Sequence, residues 1–210
     1  MRGYLEPPPS YTPSASSTLQ QQHQEKLPPS QIPPSGYRIA LNTPPGGPPF
    51  PGIDKTRAAP LTDADGKTPV FIGSALMQDS VHPCKIVPNH PQPCYVSYGG
   101  AELTHQGRYD LLPVVPEHME FVRTSHGRVP SGRRPVKGGF ENNGAELYHA
   151  VAEIEGVKVP GKTGTHLVRP TVFSCDFDCM RKVVLMSHQN GCNVPFGGME
   201  HVVTENYEIL

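Results

Sequence analysis

An all-β protein built from two copies of one unit is the fold the sequence predicts, and three observations predict it. The segment CYVSYGGAE at residues 94–102 returns as CNVPFGGME at residues 192–200. Short β-branched or aromatic runs (VFIGSA, CYVSY, LYHAVAEI, HVVTENYEIL) alternate with the turn signals DADG, NNG, GG and PSG. No segment keeps the 3.6-residue apolar period of a helix.

The likeness of the two copies extends beyond the quoted words. In the first, Lys85, His90, Cys94, Gly99, Gly100, Glu102 and Tyr109 follow in order; in the second, Lys162, His188, Cys192, Gly197, Gly198, Glu200 and Tyr207 do. His to Cys is four positions in both, Cys to the first Gly five, and Glu to Tyr seven. Phe71 lies 14 positions before Lys85, as Tyr148 does before Lys162, and DADG at residues 63–66 pairs with ENNG at 141–144. The chain is an internal duplication of about 75 residues. One interval departs: Lys85 to Cys94 is nine positions, Lys162 to Cys192 thirty. A 21-residue insertion at about residues 165–185 accounts for the difference, and it carries Cys175 and Cys179. Short-stranded units that cannot bury their own faces pair up, so two tandem pseudo-symmetric repeats forming a β-sandwich or barrel-like unit are expected. The first repeat spans residues 37–112 and the second 113–210.

Residues 1–36 read differently. Half of the 26 prolines fall before residue 52, among Ser, Thr, Gln and Gly. Ordering costs roughly 1–2 kcal/mol per residue, and this stretch has little apolar surface to offset it, so a disordered tail is expected. A net charge of −1 gives no global attraction to nucleic acid or anionic membrane. There is neither an apolar run of about 18 residues nor a hydrophobic leader, and the five cysteines are an odd number. A cytoplasmic protein with reduced thiols is expected, with no membrane span and no nucleic-acid partner.

The ordered features GRVPSGRRPVKGGFENNGAELYHAVAEIEGVKVPGK at residues 127–162, GCNVPFGGMEH at 191–201 and the closing NYEIL carry a family resemblance. With DADGKTPVFIGSA, HPCKIVPNH and GRYDLL of the first copy, the chain resembles the DM-nine repeat proteins over residues 58–210 outside the insertion. The resemblance implies an all-β unit of two repeats, mannose-binding and lectin-like, or an intracellular protein mobilised in infection and stress. No catalytic activity and no cofactor come with it. It also implies a sugar site, an acid just after the Gly-Gly turn paired with the lysine of PGK. These fall on Glu141 and Lys162 in the second copy, and on Asp63 and Lys85 in the first. A carboxylate accepts hydrogen bonds from vicinal hydroxyls while an ammonium donates to a sugar oxygen. The first copy departs from the pattern, with Cys84 for the glycine before its lysine and Pro60-Leu61-Thr62 for the Gly-Gly turn. Phe121 stands where the family often has a tryptophan, and the chain has none. Mannose-type glycans are the expected ligands, two weak sites per molecule would gain by avidity, and a dimer is among the expected assemblies.

Other motifs compete. Residues 156–163 match G-x-x-x-x-G-K-[ST], but a phosphate loop needs a helix after it and GTHLVRPTV is a poor one. A nucleotide binder is therefore the third reading, behind the lectin and behind an interaction protein with degenerate sugar sites. His90 with Cys94 and His188 with Cys192 have an x-three spacing; equivalent positions of a duplicated fold face separate places, so core or turn residues are expected rather than zinc ligands. Arg123, Arg128, Arg133, Arg134 and Lys137, with His126, form a basic run without an acid, read as a solvated loop or as a contact for an anionic ligand. In the tail, Pro8-Pro9-Ser10-Tyr11 matches the PPxY ligand of WW domains, whose polyproline conformation is preformed.

Overall fold

The computed structural model describes residues 36–43, 50–167 and 190–210. The tail, its PPxY sequence, His188 and nearly all of the insertion lie outside the described residues. Strands of the first half are β1 (Ile39–Asn42), β2 (Leu61–Thr62), β3 (Pro69–Leu76), β4 (Val81–Ile86), β5 (Cys94–Tyr98), β6 (Ala101–Thr104) and β7 (Arg108–Leu112). The second half supplies β8 (Val122–Thr124), β9 (Lys137–Phe140), β10 (Glu146–Ile154), β11 (Val157–Thr163), β12 (Cys192–Phe196), β13 (Met199–Val203) and β14 (Tyr207–Ile209). One helical turn, α1 (Ile53–Thr56), precedes β2. The run HVVTENYEIL, expected as one strand, is two: Asn206 has φ 55°, and this left-handed residue turns the chain between β13 and β14.

Strand order exposes the duplication. Neighbours run β1-β7-β3-β4-β5-β6, then β13-β12-β11-β10-β14-β8, so each strand of one half has its equivalent at the mirrored place in the other. The register agrees: Phe71 faces Ile86 and Tyr148 faces Thr163, while Gly73 faces Leu111 and Ala150 faces Ile209. The halves join where Met199 of β13 pairs with Ala101 of β6.

Cores follow the same symmetry. Ala75, Cys94, Val96 and Tyr109 lie in the first half's core, and their equivalents Ala152, Cys192, Val194 and Tyr207 in that of the second. A third core takes Ile72, Leu112, Val151 and Leu210 from both halves, and Phe121 packs against it. Ile72, Ile86, Leu111, Leu112 and Leu147 are fully buried, each such side chain contributing about 1.5–3 kcal/mol.

A second closure makes eight of these strands a barrel. β9 pairs with β10 and, through Phe140 opposite Val81, with β4, so β4-β5-β6-β13-β12-β11-β10-β9 returns on itself. Gly138 and Gly139 allow this approach. A Cβ on Gly139, whose φ is 153°, would stand 1.9 Å from the Val81 carbonyl oxygen, and one on Gly138 would meet Pro83 at 2.5 Å. The equivalent strand in the first half, β2, has Pro60 and Leu61 at these places; it pairs with β3 and is not hydrogen-bonded to β11. The gap is a groove of about 410 Å³ lined by residues that include Asp63, Gly156 and Lys158.

Candidate functional site

Both sequence-predicted lysines are buried on equivalent strands. Lys85 lies between Cys84 and Ile86, whose side chains fill the first core, so the strand's alternation turns it to the opposite face. There its Nζ donates to Glu102 Oε1 at 2.8 Å and to the Pro195 carbonyl at 3.4 Å, and stands 4.9 Å from the centre of the Tyr95 ring. Lys162, on β11, has different neighbours. Its Nζ is 3.1 Å from His82 Nδ1, 3.7 Å from Glu141 Oε1 and 5.3 Å from the centre of the Tyr98 ring.

The second-copy pair therefore comes together. Glu141 directly follows β9 and opens a tight turn, its N–H donating to the Ala145 carbonyl and its carbonyl accepting from Gly144. Docking of β9 on β4 carries Glu141 to His82 as well as to Lys162, its Oε2 lying 3.7 Å from His82 Nε2. Asp63, at the matching turn of the first copy, accepts the Ala64 N–H at 2.9 Å. It lies near enough to raise the Tyr95 phenol together with Glu102, although burial is the larger cause. The carboxylate on Lys85 is Glu102.

His82 and Tyr98 belong to the second-copy site but come from the first copy. Burial, reinforced by the Lys162 ammonium, holds the His82 imidazole down at about 3, so it is neutral near pH 7. Facing an ammonium, Nδ1 must accept; Nε2 then carries the proton and donates to Ser80 Oγ at 3.0 Å. His82 also meets the Tyr98 ring edge-on at 5.2 Å. Tyr98 is 40% exposed and Phe140 45%, so two aromatic side chains open to solvent on the strands that flank a half-buried carboxylate. The aromatic expected from Phe121 does not serve here, because that side chain packs on the shared core. A signal for His82 and Tyr98 exists in the repeat itself: the equivalent positions hold Val159 and Phe196, so these are places where one copy carries polar groups and the other does not.

Three competing motifs find structural places. The octet matching a phosphate loop lies in β11, paired with β10 on one edge and β12 on the other. Those ladders occupy the backbone groups that a phosphate nest would present, so the nucleotide reading has no loop to rest on. Cys94 and Cys192 are fully buried in equivalent cores, and His90 bonds the Tyr95 hydroxyl through Nδ1 at 2.8 Å. Among the described residues no group of three His, Cys, Asp or Glu is placed to hold a metal ion. The basic run divides: Arg133, Arg134 and Lys137 line a groove, while His126 approaches Glu205 at 3.4 Å.

Where the second half departs to its insertion, the exit and the return are joined. Thr163 pairs with Cys192, its hydroxyl donates to the Gly191 carbonyl at 2.9 Å, and Asn190 Nδ2 donates to the Thr165 carbonyl at 2.8 Å. The β11–β12 pair thus keeps the register of β4–β5, where Ile86 pairs with Cys94.

A family model described as DM9 repeat matches residues 63–169. No curated protein matches the sequence. Among solved structures, the crystal structure of the nematode sperm cell motility protein MFP2B matches with a TM-score of 0.46 and 14% sequence identity. That match covers 82% of this chain and 43% of the nematode protein, so the chain spans less than half of its length. No helix of the described residues is long and apolar enough to cross a membrane.

Proposed function

The chain belongs to the DM9 repeat family, and from that premise we propose that it is a non-enzymatic, lectin-like protein that binds mannose-type carbohydrate between its two repeats. The observation that carries this reading is Glu141 within 3.7 Å of Lys162, beside the exposed ring of Tyr98. The Glu141 oxygens accept from two vicinal hydroxyls, Lys162 donates to a sugar oxygen from beneath, and Tyr98 offers its face to the sugar's C–H groups. The first-copy pair is the weaker candidate, because Lys85 already donates to Glu102 at 2.8 Å and Asp63 turns to its own backbone. One dominant site per chain is the expected stoichiometry. A cytosolic setting fits the free thiols of Cys84, Cys94 and Cys192.

The test is retention on mannose resin with elution by free mannose, followed by titration. Glu141→Gln should abolish retention, and Asp63→Ala should leave most of it. Equal losses in both variants would restore a two-site lectin. A wild-type chain that ignores mannose would move the function to protein interaction, and removing residues 1–36 would then be the variant expected to lose partners.

A further inference from the structure

A groove of about 620 Å³ lies apart from the sugar site, with Arg38, Arg133, Arg134 and Lys137 on its walls and Val122 and Val136 among its apolar lining. Its cations are not equally satisfied. Arg133 pairs with Glu120 and Lys137 with Glu146. Arg38 is half-buried, yet its guanidinium donates only to neutral groups: the Gly36 carbonyl at 2.9 Å, the Lys137 carbonyl at 2.8 Å and His149 Nε2 at 3.2 Å. Among the described residues no carboxylate comes within ion-pair distance of Arg38, and Arg134 has neither a hydrogen bond nor an ion pair. Leaving a guanidinium partly desolvated without a counter-charge costs stability unless an anion arrives. Burial lowers its proton affinity, against a smaller opposing effect of Asp110, which is the electrostatic mark of that cost.

The chain as a whole carries a net charge of −1, so the positive charge of this groove is a local feature. The volume lies in the range of small-molecule sites. Guanidinium N–H groups donate strongly to oxyanions, and the three hydrogen bonds on Arg38 fix its plane, occupy both Nη2 hydrogens and leave Nε–H and one Nη1–H as separate single donors. We propose that this groove binds a compact organic molecule bearing a phosphate or sulfate monoester, with the oxyanion on Arg38 and Arg134 and the organic body against Val122 and Val136.

The full chain titrated with phenyl phosphate and phenyl sulfate tests this, with benzyl alcohol as the uncharged control. Both esters should bind and the alcohol should not. Arg134→Gln, at an exposed side chain without partners, should weaken binding by about tenfold or more and leave mannose retention unchanged. Arg38→Lys keeps the charge but loses the fixed planar donors, and should weaken binding similarly if thermal unfolding shows the variant folded. Equal affinity in wild type and Arg134→Gln, or no binding up to about 10 mM ester, would overturn the site. Co-sedimentation with phosphatidic acid vesicles in the absence of phenyl phosphate binding would also overturn it, and would make the groove part of a membrane-facing surface. Because mannose retention is read on the same variants, failure here is separable from failure of the sugar site.

Discussion

Glu102 and Glu200 each hold the other repeat's turn. Glu102 Oε2 accepts the Gly198 N–H at 2.8 Å, and Glu200 Oε2 accepts the Gly100 N–H at 2.7 Å. Their backbones reciprocate as well, the Glu102 N–H donating to the Gly198 carbonyl and that of Glu200 to the Gly100 carbonyl. The segment that the sequence states twice is therefore a clasp: Gly-Gly makes the turn, and the glutamate two residues later reaches across the pseudo-two-fold to its twin. The remaining oxygens differ, Glu102 taking Lys85 and Glu200 taking Asn193 Nδ2 at 2.8 Å.

Removing either clasp should cost more than an ordinary surface charge. Glu102→Ala leaves the buried Lys85 ammonium without its carboxylate and Gly198 without its acceptor, an expected loss of about 3 kcal/mol or more. Glu200→Ala should cost about 2–3 kcal/mol through Gly100 and Asn193. Urea midpoints at constant m measure both, and losses below about 1 kcal/mol would mean the clasp is ornamental.

Barrel closure should depend on one glycine. Gly139→Ala places a methyl group against the Val81 carbonyl and should destabilise by about 3 kcal/mol or more, because β9 must leave β4. Gly144→Ala is the control: its φ is also positive, at 81°, but nothing lies within 4 Å, so only about 1 kcal/mol of backbone strain is expected. Since β9 carries Glu141 to Lys162, Gly139→Ala should also lose mannose retention where Gly144→Ala keeps it.

The duplication was legible in the sequence because a repeated strand-turn-strand unit repeats its spacing, and Cys94/Cys192 and Tyr109/Tyr207 occupy equivalent cores. A barrel-like unit was expected from the pairing of short-stranded repeats, but which strands close it was not legible. GGF at Gly138–Phe140 announces a flexible turn, but that these glycines meet β4 of the other repeat depends on a contact no local pattern encodes. Glu141 and Lys162 were legible through resemblance to the family. His82 and Tyr98 lie outside what the two copies share; the positions where the copies differ, His82 against Val159 and Tyr98 against Phe196, mark the side chains beside Lys162.

Three thiols should be inert in the native protein. Cys84, Cys94 and Cys192 have no solvent exposure, and burial raises the Cys84 and Cys192 thiols, so almost no thiolate is available at pH 8. Peptide mapping after iodoacetamide should find all three unmodified in buffer and modified in urea. Native labelling of Cys192 would show that the β11–β12 pair opens where the insertion departs.

Acid should weaken the fold before its carboxylates titrate. His82 is held at about 3 by burial and by Lys162, against 6.5 in an unfolded chain, and burial lowers His149 well below the ordinary value with Arg38 adding to it. A depressed histidine binds its proton in the unfolded chain but not in the native one, so stability is full above about pH 6.5 and falls as the pH drops towards 3. For His82 the expected loss at pH 5 is at most ~2 kcal/mol, and His149 acts in the same direction. Unfolding midpoints between pH 8 and pH 4.5 should show this slope, and His82→Asn, which retains an acceptor for Lys162 without a titrating ring, should flatten it. An unchanged slope in His82→Asn would place the acid sensitivity on His149 and its contact with Arg38, and Arg38→Lys would then be the variant to shift it.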